Sequence, residues 1–341
     1  MSEAFSSVSV EMPNKASLRT RVANPVLFAT ARTGLNLLAH GVRRVAPTKH
    51  AFRVSRAVDT PAMVLVAPRG TRRRRVEFEE GHAEWLWHKT IDDPDDNRDG
   101  AILYFHGGGY VSCGLNTHRR FVAKIGRASG LPVLNVDYRQ LPSAHFTETL
   151  DDAVASYRYL LDRGFAPERI IACGDSAGGG LAFRFALAAR ERGLPVPGGV
   201  SAIAPWADLD WTLRNNHANA ARDVVVPPLG LEVVARYGYA VDGKLDPAWS
   251  AVNHDFTGMP PAFIQVGSSE CLLSDAVQLA RRAEEANVPL RLQIWDHAPH
   301  VHHAGSDVLP DARAAIRELA AFHRHIITGA ATGGRDRTTA A

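Results

Sequence analysis

Cysteine is scarce. Three residues, Cys113, Cys173 and Cys271, are too few and odd in number for a disulfide framework. A fold held by its core is therefore expected, with reduced thiols and a cytoplasmic setting. Long apolar runs are missing as well. No uninterrupted run approaches the ~20 residues that span a bilayer. The early stretch 22–31 is broken by Asn24 and Pro25 and closed by Arg32, and Glu3 and Glu11 are out of place in a secretory leader. Stable membrane insertion is not expected. Neither sign of charge is in excess, and a net charge of +3 does not point to nucleic acid as the main partner. The one basic run, Arg72 to Arg75, has no interleaved aromatics and is followed by Glu77, Glu79 and Glu80. It reads as a solvated strand entry paired by those glutamates.

What remains is a chain of 341 residues, 45% of them hydrophobic, enough to fill a sizeable core. Residues 1–16 are polar and small and are expected to fray. From 18 to 45 the pattern turns helical, with Val26, Leu27, Leu35, Leu37 and Leu38 on an apolar face that should dock on the core. Strand-like segments follow at 75–78, 83–88, 101–105, 132–137, 170–173, 200–204, 262–267 and 290–295, and helical ones at 116–128, 151–161, 274–286 and 311–327. Such alternation predicts an α/β fold whose mostly parallel sheet is covered by helices on both faces. The stretch 206–249, rich in Trp, Asn, Pro and Tyr, breaks the rhythm and reads as an insertion over the top of the sheet. The expected division is an N-terminal segment and helical cap over 1–60, a catalytic domain over 61–328 to which 206–249 adds cap, and a disordered tail over 329–341.

Chemistry concentrates at Gly174-Asp175-Ser176-Ala177-Gly178. An apolar strand runs into this sequence and a helical pattern leaves it. A serine flanked by glycines in a strand–turn–helix is the pattern of a nucleophile elbow. A serine hydroxyl needs a base and an oxyanion site to become useful. His106-Gly107-Gly108-Gly109 follows a buried strand, and its bare amides can converge on one point; Gly107, Gly108 and Ala177 are the expected oxyanion donors. No Walker-type lysine accompanies these glycines, so a phosphate role is weak. After the strand 262–267 two acids compete. Asp275 suits the first turn of the next helix, where its charge meets the dipole. Glu270 lies in the loop proper and is the preferred acid. After the last strand, His297, His300, His302 and His303 crowd together. They offer a general base; a zinc site is the weaker reading, because the spacing gives no His-Glu-x-x-His and no obvious carboxylate. Asp175 reads as a brace for the elbow, and His106 as an anchor for the glycine loop. Tyr110, Trp206 and Trp211 are candidate pocket walls.

Taken together, His106-Gly107-Gly108-Gly109-Tyr110, Asp137-Tyr138-Arg139 and Gly174-Asp175-Ser176-Ala177-Gly178-Gly179 resemble the hormone-sensitive-lipase-like family of α/β-hydrolases. Thr117-His118-Arg119, Leu150-Asp151-Asp152-Ala153 and Pro205-Trp206-Ala207-Asp208-Leu209 add weaker support. The resemblance covers residues 76–323. It implies the α/β-hydrolase fold, a helical N-terminal cap and a serine carboxylesterase acting on a small-molecule ester without a cofactor or metal, and a homodimer. It selects His300, which stands in Pro299-His300-Val301, and favours Glu270, in Glu270-Cys271-Leu272-Leu273, as the acid. Lactonase, deacetylase or amidase activity on the same triad stays open. So does a purely binding role of the kind that the gibberellin receptor, similar to the same family, performs without a working histidine. One departure is Ser143, where many members carry a glutamate after Asp-Tyr-Arg.

Overall fold

The structure, a computed structural model, describes residues 7–44, 52, 59–78 and 81–338, with 331–338 by backbone alone. Its strands are β1 (Val8–Glu11), β2 (Thr71–Phe78), β3 (Gly81–His88), β4 (Ala101–Phe105), β5 (Val133–Asp137), β6 (Ile170–Asp175), β7 (Gly199–Ile203), β8 (Ala262–Gly267) and β9 (Leu290–Trp295). They form one sheet in the order β1-β9-β8-β7-β6-β4-β5-β3-β2. Only β3 runs against its neighbours, β2 and β5; every other pair is parallel. The central strands β4, β6, β7 and β8 are buried along their whole length. Their near-continuous apolar sequence is the consequence of burial on both faces.

The helices are α1 (Leu18–Leu27), α2 (Thr33–Arg44), α3 (Leu115–Ser129), α4 (Phe146–Asp162), α5 (Ala177–Glu191), α6 (Thr212–Asn215), α7 (Pro228–Val234), α8 (Leu273–Glu285) and α9 (Pro310–Thr338). α3 packs with α9 on one side of the sheet, and α4 with α5 on the other. The stretch 206–249 contains α6, α7 and a π-turn at Ala235–Tyr239. Among the described residues no helix is long and apolar enough to cross a membrane.

Three expectations need correction, and that for the arginine run is met in part. Residues 8–11 do not fray: they pair in parallel with β9, and Glu11 takes two bonds from Arg291 at 2.9 Å and one from Gln293 at 3.0 Å. The backbone of 329–338 is not a disordered tail but the continuation of α9, where each added residue extends an existing hydrogen-bond ladder; 339–341 lie outside the described residues. The arginine run lies on the edge strand β2. There Arg74 pairs with Asp93 and Asp95 and stacks over Trp87, while Arg75 pairs with Glu77. Charged side chains on an edge strand discourage sheet-to-sheet association. Glu79 and Glu80 lie outside the described residues. Finally, α1, a π-turn at Phe28–Arg32 and α2 form one helical run that does not dock through its apolar side chains. Val22, Val26, Leu37 and Leu38 are exposed, and the run's buried residues are Thr20 and Ala39. Polar bonds hold it instead: Ser17 N–H and Thr20 Oγ1 donate to Asp311.

Candidate active site

β6 delivers the nucleophile. Ser176 sits between β6 and α5 at φ 52°, ψ −122°, a backbone conformation that a non-glycine residue holds only when its surroundings enforce it. They do: Ser176 N–H donates to Ile203 O at 2.8 Å, and its carbonyl accepts from Trp206 N at 2.8 Å and Gly180 N at 3.1 Å. Glycine at 178 is required by proximity, because a Cβ there would lie 2.0 Å from Phe105 O. The end of β4 can thus press directly on the first turn of α5.

Asp175 ties the elbow to the glycine loop, as a brace should. Its Oδ1 accepts from Tyr104 OH at 2.7 Å and from Gly107 N at 3.1 Å, and its Oδ2 lies 3.2 Å from His118 Nε2. Burial works to raise its pKa, but His118 and Tyr104 outweigh that and hold it below the usual carboxylate range. His106 anchors the loop from below: Nδ1 donates to Gly107 O at 2.7 Å, Gln140 Nε2 approaches Nε2 at 3.3 Å, and the ring stacks on Tyr138 with centroids 4.4 Å apart. Burial lowers its pKa to about 4, so this imidazole is neutral. Ser143, the departure noted in the sequence, is exposed, and its neighbour Gln140 does the bracing.

The same brace corrects the oxyanion assignment. The Gly107 amide is spent on Asp175 and faces His118 Nε2 at 3.2 Å, so it has no proton left for a substrate. Among the described residues the amides of Gly108, Gly109 and Ala177 have no acceptor. Gly108 adopts φ 118°, and a Cβ there would lie 2.0 Å from Ser112 O, so the turn that frees these amides demands glycine.

Glu270 and His300 meet. Glu270 Oε1 accepts from Gly267 N at 2.7 Å, and its Oε2 lies 2.6 Å from His300 Nδ1. A carboxylate there places the ring proton on Nδ1 and leaves Nε2 free to act as a base. Burial pulls the His300 pKa down, but the Glu270 charge, helped by Asp223 and Asp175, more than offsets this and leaves it above the ordinary value. Asp175 immediately precedes Ser176, so the elbow is within electrostatic range of the imidazole. Among the described residues, no hydrogen bond joins Ser176 Oγ to His300 Nε2. Such contacts are often open without substrate and tighten on binding.

The competing acid has another task. Asp275 accepts from Ala207 N and Asp208 N at 3.0 Å and pairs with buried Arg214 at 3.2 Å. Of the other histidines, His297 is exposed beside Asp296, while His302 and His303 are buried, with His303 Nε2 2.8 Å from Gln265 Oε1. Tyr110 and Trp206 are struts rather than open pocket walls. Both are 1% exposed; Tyr110 OH donates to Ala177 O at 2.7 Å, and Trp206 Nε1 to Asp208 O at 2.7 Å. Trp211 is half-buried under Arg236. None of the three lines the cavity beside His300. That cavity, about 850 Å³, lies between α1 and the His300 turn and is bounded by Leu18, Val22, Val26, Val225, Val301 and Leu309. Sequence reasoning also missed Asn219 and Asp223, which hold the Glu270 loop. Asn219 Nδ2 donates to Ser268 O at 2.9 Å and Glu270 O at 3.0 Å, and Cys271 N–H donates to Asp223 Oδ2 at 2.9 Å. No local pattern marks them, since their partners lie about fifty residues away.

Comparison with known proteins places the chain. The profile of the α/β-hydrolase fold family matches residues 102–304. An acetyl-hydrolase of Streptomyces hygroscopicus is 38% identical over 246 residues, 72% of this chain and 80% of its own. The esterase LipU of Mycobacterium tuberculosis is 32% identical over 273 residues, 78% of this chain and 91% of its own. The crystal structure of a hormone-sensitive lipase from a metagenome library superposes with a TM-score of 0.79 at 29% identity, covering 92% of this chain and all of that one.

Proposed function

The chain belongs to the α/β-hydrolase fold family, in its hormone-sensitive-lipase-like group, and is a serine hydrolase of carboxylic esters; from this premise we propose that Ser176, His300 and Glu270 carry the reaction. Ser176 Oγ attacks the ester carbonyl carbon while His300 Nε2 takes its proton. The carbonyl electron pair moves to oxygen, and the amides of Gly108, Gly109 and Ala177 hold that oxyanion, each donor lowering the barrier by roughly 3 kcal/mol. The tetrahedral intermediate collapses, the alcohol leaves with the proton from His300, and an acyl-enzyme remains. Water, deprotonated by His300, then attacks the acyl carbon, and collapse returns the proton to Ser176 and releases the acid. Glu270 fixes the imidazole tautomer and stabilises its cation without taking the proton.

The observation that carries this reading is the Glu270–His300 contact of 2.6 Å, made across thirty residues of sequence. Short- to medium-chain acyl esters are the proposed substrates, with the apolar cavity beside His300 receiving a hydrocarbon portion. A panel of p-nitrophenyl esters from C2 to C12 tests it. Turnover is expected on the shorter chains, and Ser176→Ala should lower kcat by at least about 10⁴-fold. A protein that turns over none of the panel, yet is stabilised by a small ligand, would refute it. The same reading includes a reduced cellular compartment for the three free cysteines and a homodimer, to be checked by fractionation and sedimentation velocity.

A further inference from the structure

The N-terminal helical run grips the two loops that carry base and acid. On the base side, Asn24 Nδ2 donates to His297 O at 2.8 Å, three residues before His300. Just ahead of α1, Ala16 N–H donates to Asp296 Oδ2 at 2.9 Å, and Asn14 Oδ1 accepts from Asp296 N at 3.2 Å. On the acid side, Arg32 spreads its guanidinium over one turn of the insertion. Nη1 donates to Asp223 O at 2.6 Å and approaches Val226 O at 3.3 Å, while Nη2 donates to Ala220 O at 2.8 Å. That turn contains Asp223 and follows Asn219, the two residues that fasten the Glu270 loop. A guanidinium holds its donors in a rigid planar fork that spans carbonyls spread over a turn, whereas an ammonium offers its three donors from a single point on a flexible stem.

The helix geometry makes both grips possible. Eight residues of unbroken α-helix would set Arg32 about 80° around the axis from Asn24. The wider π-turn at Phe28–Arg32 unwinds much of that offset and brings the two side chains toward one face. Meanwhile most of the large apolar residues of α1 and α2 are left exposed, so these polar contacts, together with the packing of α2 on α7, hold the run in place.

We propose that Arg32 and Asn24 are positioning residues for ester hydrolysis, and that the cap run acts as a clamp fixing Glu270 and His300 relative to each other. This rests on Glu270 and His300 being the acid and base. A cover alone would change substrate binding; a clamp changes the chemical step and the basicity of His300. The charges facing that imidazole are Glu270 from its own loop, Asp223 from the insertion and Asp175 from the elbow, with neutral His302 beside it on its own turn.

The test measures kcat, KM and the pH dependence of kcat/KM on p-nitrophenyl butyrate. Arg32→Met should lower kcat by about tenfold or more with KM within about twofold, because small misplacements of catalytic groups are costly. Its acid limb should move to lower pH, since a loosened Glu270 supports the imidazolium less. Asn24→Ala should move both readings in the same direction by less, Arg32→Lys should recover part of the loss, and Arg43→Met, on the same run, should change neither. An unchanged kcat and limb in Arg32→Met, or a rise in KM alone, overturns the clamp. If Arg32→Met does not fold, Asn24→Ala and Arg32→Lys decide by the same criteria. Labelling by a fluorophosphonate separates the two levels. A wild-type enzyme unlabelled at Ser176 removes the catalytic assignment itself; normal labelling with an unaltered Arg32→Met removes only the clamp.

Discussion

Glu270 supports His300 by charge, and an isosteric amide would keep the shape while removing that charge. Catalysis needs the imidazole neutral, so activity is lost as pH falls through the His300 pKa, which lies above the ordinary value of about 6.5. In Glu270→Gln the burial that lowers this pKa persists while its main opposition is gone. The acid limb of kcat/KM should therefore shift to lower pH, with kcat reduced by about 10²- to 10⁴-fold. A pH–rate profile on both proteins checks the direction, and a limb that stays or rises would contradict the pairing. Of the proposed site, Ser176 is legible locally, as a serine flanked by glycines where a strand meets a helix, and Glu270 by its place in the loop after a strand, whereas His300 stands out from its neighbours His297, His302 and His303 only through the family resemblance. The oxyanion donors were legible only as a cluster. The carboxylate of Asp175 reaches back 68 residues to occupy Gly107, and nothing in the spacing of three glycines reveals which amide is taken. Tyr110 and Trp206 were misread for a similar reason: an aromatic ring beside a site faces either a cavity or the core, and tertiary packing decides.

Elements are joined here by a few buried polar pins. On α9, His323 lies between Ser129 Oγ of α3 and Ser201 Oγ of β7, each at 2.9 Å, and it is fully buried. His323→Leu would strand both hydroxyls and should cost about 2–4 kcal/mol. Replacing all three, with alanine at 129 and 201, removes the polar groups together and should cost distinctly less. Urea titrations of the single and triple variants measure this, and a triple variant no more stable than the single one would refute the pin. The parallel strands and main helices were legible from alternating apolar runs, whose period and length leave little choice. β1 was not, because four residues with one buried partner strand carry almost no pattern. The docking of the cap run was misread because its exposed leucines and valines produce the periodicity of a buried face.

At the scale of the whole molecule, four buried imidazoles among the described residues are held neutral: burial lowers His106 and His302 to about 4 and His323 to about 3, and holds His303 well below its ordinary value. Their depressed folded pKa values mean that they contribute stability above about pH 6.5 and lose it progressively as the pH falls toward those values. His300 runs the opposite way, adding stability below pH 6.5 that is lost as pH rises through its raised pKa. Burial also raises Glu84, Asp208, Glu270 and Asp275, which offsets part of the loss at the acid end. The melting temperature should fall from pH 6.5 to 5, where the imidazoles dominate; a flat or rising series would show that these rings are not neutral in the fold. The pairing of β1 with β9 has a consequence for biosynthesis. Residues 8–11 are synthesised long before their partner at 290–295. Until then neither the first strand nor the helices behind it have a place to land, and the nascent chain carries the exposed leucines and valines of that segment unassisted. Contacts so distant in sequence form late and slowly, so a holdase chaperone would meet the nascent chain at these side chains, and the β1 edge of the sheet would close only once β9 has been made.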